Sequence, residues 1–308
     1  MKTGSRRVPQ RASARVAQVR DIVVGVRLSH PERMLFPEPA LTKRDLAAYY
    51  DAVAHWMLPH VVGRPLTLVR CPQGVGGECI FMRHSKVWGP WPLRRVLIRE
   101  KTKVGEYLFI ESAASLVALA QMDVLEIHTW NSRAGSVDRP DRFVIDLDPG
   151  PLVRWPEVVR AARDVRTALR QAGLESWVKT TGGVGLHVVV PIQPDHDWEA
   201  VFAFSRRFAQ MLEADEPARF STRIPKAGRE AKILLDYLRN NRTNTSVAAY
   251  STRAQPHAPV SMPIAWDELS TRLRPERFTV KTAPARLAKL RIAPWADYFV
   301  SKQRLKLG

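Results

Sequence analysis

The chain has 308 residues, of which 45% are hydrophobic, and its 48 Lys and Arg against 30 Asp and Glu give a net charge of +18. That length suits one large domain or two modest ones, and no apolar run approaches the ~18 residues that a membrane helix needs, which excludes an integral helical membrane protein. Six basic residues and no acid lie in the first 20 positions, which leaves +12 for the rest. A basic folded body favours a polyanionic partner, most often nucleic acid. The alternative is an ordinary protein from an arginine-rich proteome.

The ends and the cysteines set the expected organisation. Residues 1–24 are predicted to form a disordered basic arm, because they lack the apolar stretch of a secretory signal. Residues 25–308 are predicted to form a single domain. Cys71 and Cys79 are the only cysteines, and their spacing is unlike the pairs of structural zinc sites. We interpret them as two buried free thiols in a reducing cytosol, which predicts a cytoplasmic, nucleoid-associated protein.

The apolar pattern predicts mixed helices and strands. A helix begins after Leu41, with Thr42 as its N-cap and Asp45 three residues later. The following segments are predicted in chain order: strands at Leu66–Arg70, Cys79–Arg83 and Tyr107–Ile110, a helix at Ser112–Met122, strands at Val124–His128 and Arg142–Leu147, a helix at Pro156–Gln171, strands at Trp177–Lys179 and Leu186–Val190, a helix at Asp197–Leu212, a strand at Lys232–Leu238 and a short helix at Pro284–Leu290. Without a strict βαβ rhythm, the fold class is α+β.

Two carboxylates end the most apolar of these strands. In the segment 143–150, Phe-Val-Ile-Asp-Leu-Asp-Pro-Gly, alternation places Asp146 and Asp148 on one face, roughly 6.5 Å apart. Two neighbouring anions on a buried strand need positive charge against them. A divalent metal ion and arginine partners from a nearby loop are both open at this point.

Two further elements carry polar groups into apolar surroundings. The segment 180–187, Thr-Thr-Gly-Gly-Val-Gly-Leu-His, is a glycine-rich turn of the kind whose N–H groups bind phosphate, and His187 opens the strand after it. A tight hairpin turn with a half-exposed histidine is the simpler reading. Asp236 interrupts the apolar segment 233–238, where a lone buried carboxylate is costly unless it is paired or metal-bound. Arg239 and Arg242 are candidate partners.

The order of these three elements resembles the archaeo-eukaryotic primase superfamily. The wider sequence, including Leu125–His128, Gly182–Pro191, Asp236–Asn240 and Ala249–Ser251, is similar to the polymerase domain of bacterial ligase D, which serves non-homologous end joining. The resemblance covers about residues 25–305. It implies a primase-polymerase fold, with antiparallel and mixed sheets forming a central catalytic cleft flanked by helices.

The resemblance also implies roles for individual residues. Asp146, Asp148 and Asp236 are expected to be catalytic and to hold two divalent ions, Mn2+ or Mg2+. The residues expected to bind the incoming NTP or dNTP are Arg70, Phe81, His128, Thr181, Gly182, Gly183, His187 and Arg253. Of these, Phe81 matches an aromatic on which a templating base stacks.

A second implied site would bind the 5′-phosphate of a recessed DNA end through Arg33 and Lys43. Lys43 would lie at the start of the Thr42 helix, where free N–H groups favour an anion. The sequence departs from its relatives at three places: Val184 stands where many carry Lys, Ile80-Phe81 where some carry two aromatics, and Arg33 where some carry Lys.

The expected activity is transfer of nucleotides to DNA 3′ ends at gaps and double-strand breaks, partly templated and partly untemplated. DNA ends with a 5′-phosphate and NTP or dNTP are the expected partners, with Ku and a DNA ligase as further candidates and no membrane. Two alternatives stay open: a catalytically silent DNA-end-binding module that assists a ligase, and a de novo primase.

Overall fold

The computed structural model describes residues 21–85 and 92–307 of the chain. The helices are α1 (Lys43–Val61), α2 (Ala113–Gln121), α3 (Trp155–Gln171), α4 (Trp198–Asp215) and α5 (Ala283–Leu287). The strands are β1 (Ile22–Val23), β2 (Val26–Arg27), β3 (Met34–Phe36), β4 (Leu41–Thr42), β5 (Leu66–Arg70), β6 (Ile80–Met82), β7 (Arg94–Arg99), β8 (Val104–Phe109), β9 (Val124–Thr129), β10 (Arg142–Pro149), β11 (Trp177–Thr180), β12 (Leu186–Pro191), β13 (Phe220–Ser221), β14 (Ile233–Asp236), β15 (Ser246–Val247) and β16 (Pro263–Ile264). The predicted α+β class is confirmed.

Two larger sheets organise the molecule. One has six strands in the order β13-β14-β10-β12-β11-β16, and the other has four in the order β15-β9-β5-β6. Neighbouring strands in both are antiparallel, except for the parallel pair β13 and β14. One cluster of buried apolar side chains, extending from Val26 to Leu305, contains residues of both sheets.

The most apolar strand, β10, lies inside the six-stranded sheet. The face that carries Phe143, Ile145 and Leu147 belongs to the main core, and Phe204 of α4 packs on Phe143 with ring centroids 5.6 Å apart. On the other face, Val144 is covered by Trp295 and Tyr298 from the C-terminal segment. Farther along this second face, the alternation of β10 brings Asp146 and Asp148 to the surface of the sheet.

The first helix begins as the sequence predicts. The Thr42 side chain accepts from the Asp45 N–H, and the Asp45 carboxylate accepts from the Thr42 N–H, which completes a capping box. The predicted N-terminal arm lies outside the described residues up to residue 20. Its predicted end at residue 24 is wrong, because Ile22–Val23 pairs with Val26–Arg27 in a hairpin.

The prediction of two buried free thiols is also wrong. Cys71 and Cys79 form a disulfide, and Cys79 is exposed. Cys71 directly follows β5 and Cys79 directly precedes β6, so the pairing of Arg70 with Ile80 brings the two Cα atoms to 4.3 Å. The bond therefore closes the β5–β6 hairpin, and the cysteines give no support to a reducing compartment. No helix in the described ranges has the length and apolar character needed to cross a membrane.

Candidate active site

The polar side chains of the six-stranded sheet form a row across its strands. Asp146 on β10 is paired in register with Asp236 on β14 and with His187 on β12, and His187 is paired with Lys179 on β11. All four residues are buried. The antiparallel pairing thus brings His187 and Asp236 to either side of Asp146, although the three residues are far apart in the sequence. Asp148 lies two positions farther along β10.

Arg239 supplies positive charge between the paired acids. It follows β14 in a 3-10 turn at Leu238–Asn240, and its Nε lies 3.1 Å from Asp146 Oδ2 and 3.2 Å from Asp236 Oδ2. Asp148 is half-exposed and lies 3.5 Å from Nη2 of Arg229. The arginine pairing that the sequence left open is therefore present in the structure.

The two paired acids differ in their affinity for a proton. Burial opposes ionisation of Asp146, but His187 and Arg239 outweigh it and hold its pKa well below the ordinary value. Burial raises the pKa of Asp236 despite Arg239, and the charges of Asp146 and Asp148 add to that rise. Burial, together with the neighbouring Lys179, lowers the pKa of His187 to about 4, so its ring is neutral near pH 7.

The donor set fits a hard divalent cation. Three carboxylates approach one end of the sheet, and carboxylate oxygen is the ligand that Mg2+ and Mn2+ prefer. The Arg239 guanidinium shows that the position between Asp146 and Asp236 accommodates a cation. Across the described ranges, no three His, Cys, Asp or Glu side chains stand grouped as a ready ligand set. Arg239 would have to move and Asp148 to turn before the three acids could share ions.

A cavity of about 280 Å3 opens beside this row. The predicted residues that line it are His128, Asp146, Asp148, Thr181, Gly183, His187 and Arg253. Its lining also includes Val184 and Arg239, neither of which was predicted to bind the nucleotide. The cavity is small and polar, and two arginines and two histidines line it together with Asp146 and Asp148. A larger groove of about 980 Å3, between α3 and the C-terminal segment, contains none of the predicted residues.

The glycine-rich turn forms one wall of the cavity. Gly182 has a φ of +75°, and a Cβ built on it would lie 2.6 Å from Cγ of Arg253. The Thr181 hydroxyl accepts from the Gly183 N–H at 3.3 Å and lies 3.2 Å from the Gly185 carbonyl oxygen, which closes the turn. The Arg253 guanidinium donates through Nη1 to the Thr181 carbonyl at 2.7 Å. This local structure needs glycine at position 182 and fixes Arg253 against the turn.

The remaining predicted residues lie outside the cavity lining. Phe81, on the edge strand β6, is 56% exposed with its ring centroid 6.5 Å from that of His128, so a flat group could stack on it near the cavity. The Arg70 side chain is directed to another contact. It donates through Nε to the Met122 carbonyl at 2.8 Å, in the turn between α2 and β9.

Arg33 and Lys43 meet at that same turn. Lys43 is buried, and its Nζ lies 2.8 Å from Oδ1 of Asp123, while Arg33 Nη1 lies 2.9 Å from Oδ2. Burial lowers the pKa of Lys43, and Asp123 opposes that shift. The two predicted DNA-end residues are thus brought together, with Asp123 between them and Arg70 nearby.

Two functional candidates escaped the sequence reasoning. Glu126 lies on β9 with its carboxylate between His128 and Arg253. Lys179 is buried beside His187 and donates from Nζ to the Ser261 hydroxyl at 2.7 Å. Asp236 was noticed because it is a charged residue inside an apolar strand. Glu126, between Leu125 and Ile127, has the same pattern and could have been found in the same way.

Comparison with known proteins decides the family. The family model for the primase-polymerase domain of LigD matches residues 42–295. The chain belongs to the LigD primase-polymerase family. It is 38% identical over 290 residues to the multifunctional non-homologous end joining protein LigD of Pseudomonas aeruginosa, covering 93% of this chain and 34% of that protein. Its identity to the LigD of Mycolicibacterium smegmatis is 34% over 247 residues, which is 80% of this chain and 32% of that protein.

A solved structure shows the same fold. The polymerase domain of Mycobacterium tuberculosis ligase D in complex with DNA superposes with a TM-score of 0.80 and 32% identity, over 86% of this chain and 94% of that one. The predicted primase-polymerase fold is therefore confirmed. The chain spans about a third of the length of the two LigD proteins.

Proposed function

We propose that this chain is a nucleotidyltransferase that adds NTP or dNTP to DNA 3′ ends at gaps and double-strand breaks during non-homologous end joining. The observation that carries the proposal is the row of His187, Asp146 and Asp236 across three strands, with Asp148 beside it and a polar cavity that Arg239 and Arg253 also line. Its partners in that role are DNA ends with a 5′-phosphate, the nucleotide and, within end joining, Ku and a DNA ligase.

Each side of the cavity has its own task in this proposal. Asp146, Asp148 and Asp236 would hold two divalent ions, which when bound would favour ionisation of the primer 3′-hydroxyl and neutralise charge on the leaving pyrophosphate. His128, Arg253 and the Thr181–Gly183 turn would bind the triphosphate through cations and N–H groups. The neutral His187 ring would orient Asp146, and Phe81 would support the templating base.

One observation favours a second candidate. Because Arg239 already pairs with Asp146 and Asp236, the acids are satisfied without a metal ion, as they would be in a catalytically silent DNA-end-binding module. Burial nevertheless raises the pKa of Asp236, so Arg239 does not fully offset the cost of burying this acid.

Primer extension separates the candidates. A gapped duplex with a 5′-phosphate is incubated with the protein, Mn2+ or Mg2+, and NTP or dNTP, and the primer length is followed. We expect extension by the wild type, none by Asp148→Ala, and unchanged extension by the control Asp195→Ala, whose carboxylate pairs with Arg304 elsewhere on the surface. No extension by the wild type would support the silent module. Equal extension by Asp148→Ala would show that the observed extension does not depend on the proposed metal site. Synthesis on a single strand without primer would support a de novo primase.

A further inference from the structure

Glu126 is a buried anion beside a cavity that we propose to bind another anion. It is 7% exposed on β9. Its Oε2 lies 2.7 Å from His128 Nε2, and its Oε1 lies 3.0 Å from Arg253 Nε and accepts from the Ala254 N–H at 2.8 Å. Both oxygens are therefore used, and two of the three partners are side chains that line the cavity.

The backbone around Glu126 is fixed on both sides. The segment after β15 runs along β9, where the Ala248 N–H donates to the Ile127 carbonyl at 2.9 Å and the Ile127 N–H donates to the Ser251 hydroxyl at 2.8 Å. This pairing brings Arg253 opposite Glu126. Since Arg253 also donates to the Thr181 carbonyl, a continuous chain of polar contacts runs from the four-stranded sheet to the glycine-rich turn.

The charge of Glu126 opposes substrate binding if it acts alone. A carboxylate near a triphosphate of charge close to −4 repels it, and a buried carboxylate carries a desolvation cost as well. The contacts of Glu126 with His128, Arg253 and the Ala254 N–H offset this desolvation cost. Without the carboxylate, Arg253 would keep its contact with the Thr181 carbonyl but lose the anion at Nε, and His128 would lose its anion as well. Both side chains would then lose more conformational freedom when the nucleotide binds.

We propose that Glu126 is a positioning residue for the triphosphate site. It holds the Arg253 guanidinium and the His128 ring in place before the nucleotide arrives, and it ties the four-stranded sheet to the glycine-rich turn. The inference rests on the proposed function, because it assigns a triphosphate to the cavity. It predicts that Glu126 acts on nucleotide affinity through Arg253 and has little part in the chemical step.

Two variants test the role while preserving the fold. Glu126→Gln keeps the size of the side chain and an acceptor for Arg253, whereas Glu126→Ala removes both. Glu111→Gln is the control, because Glu111 forms an exposed ion pair with Arg94 away from the cavity. In primer extension we expect Glu126→Gln to raise the KM for NTP about 10-fold, in line with the loss of a charge-assisted contact, and to change kcat by less than about 3-fold. Glu111→Gln leaves both unchanged.

A double-mutant cycle gives a readout that a merely structural role would not move. If Glu126 acts through Arg253, Glu126→Gln in an Arg253→Ala background raises KM by less than about 2-fold further. Equal factors in both backgrounds, or an unchanged KM for the single variant, would overturn the proposal. Binding of NTP with Mn2+ is also measured calorimetrically without DNA. If the wild type binds NTP but never extends a primer, the proposed polymerase function fails, while the Glu126 comparison still stands or falls on affinity.

Discussion

At the scale of single residues, Arg239 neutralises the charge of Asp146 and Asp236 in the free protein. Its guanidinium pairs with both Asp146 and Asp236 but remains 42% exposed, so it can leave without opening the core. A divalent ion that binds these acids has to displace it. If these acids hold the proposed ions, Arg239 competes with those ions in the free protein.

We predict that Arg239→Ala binds Mn2+ more tightly than the wild type in the absence of nucleotide. Two partly exposed ion pairs are worth about 0.2–1 kcal/mol each, so together they correspond to roughly 2- to 30-fold in affinity. Titration of free Mn2+ by electron paramagnetic resonance measures this directly. Arg242→Ala is the matched control, because Arg242 lies in the same segment but pairs with Asp138. Unchanged or weaker Mn2+ binding by Arg239→Ala would show that the arginine does not compete for the ion site.

Glu126 gives a prediction about acid stability. Burial opposes its ionisation, but His128, Arg253 and the Ala254 N–H lower its pKa to about 2 from an ordinary 4.5. A lowered folded-state pKa means that the stabilisation is complete above pH 4.5 and disappears as the pH falls towards 2. The shift corresponds to about 3 kcal/mol. Urea unfolding at several pH values should show the stability difference between the wild type and Glu126→Gln to be constant above pH 5 and to shrink below 4.5. A pH-independent difference would contradict this.

At the scale of elements, the role of the glycine-rich turn can be tested by substituting Gly182, with Gly173 as the control position. Gly182 and Gly173 both have a φ of +75°, but only Gly182 faces a side chain, Cγ of Arg253 at 2.6 Å, whereas nothing lies within 4 Å of a Cβ at Gly173. Alanine at either position costs about 1–2 kcal/mol in backbone strain. Gly182→Ala should also displace Arg253 and weaken NTP binding about 10-fold.

Urea unfolding and calorimetric NTP binding separate the two effects. Gly173→Ala, at the end of α3, is expected to lose stability and keep full nucleotide affinity. If both variants lose affinity equally, the loss comes from general destabilisation and the turn has no specific part in the site.

The sequence predicted those helices and strands whose apolar and polar residues alternate regularly or whose ends carry a capping residue. The segment around Asp146 has alternating faces, so its strand and the side of each acid followed directly, and the helix at Thr42 followed from its cap. The strand predicted at Tyr107–Ile110 overlaps β8, but its partner β7 was not predicted, because Arg94, Arg95 and Arg99 hide its apolar alternation. The disulfide escaped because it depends on the register of β5 against β6, which spacing alone does not reveal.

The site was predicted as a set of residues but not as a set of contacts. Asp146, Asp236 and His187 were expected together, and the register places them side by side. Which cation neutralises the acids, and which anion holds Arg253, depends on side chains that approach from distant segments. That information lies in the tertiary packing, and a single sequence shows only that a buried charge needs a partner.

At the scale of the whole molecule, β9 connects the two predicted binding sites. Asp123, which holds Arg33 and Lys43, directly precedes this strand, and His128 lies near its other end. At about 3.3 Å per residue, the two ends are separated by roughly 15 Å. A DNA end held at Arg33 would thus be kept at a fixed distance from the nucleotide cavity by a buried strand.

Arg33 gives the cleaner test of the predicted 5′-phosphate site. Lys43 is buried against Asp123, so its removal would leave that carboxylate short of a partner in the core, whereas the Arg33 side chain is 33% exposed and Lys43 still pairs with Asp123 without it. We predict that Arg33→Ala binds a gapped duplex with a 5′-phosphate about 10-fold more weakly and lowers the salt dependence of that binding by about one released counterion.

The same duplex without the 5′-phosphate makes the prediction specific. Arg33→Ala should bind it as the wild type does, and Arg27→Ala, an exposed arginine of β2, should affect neither duplex by more than about 2-fold, as expected for one diffuse surface charge. Fluorescence anisotropy at several salt concentrations measures the affinity of the wild type and of each variant for both duplexes. An equal loss on both duplexes would mean that Arg33 only adds to the general positive field of a +18 chain. The predicted 5′-phosphate site at Arg33 and Lys43 would then be wrong, because Lys43 alone is buried against Asp123.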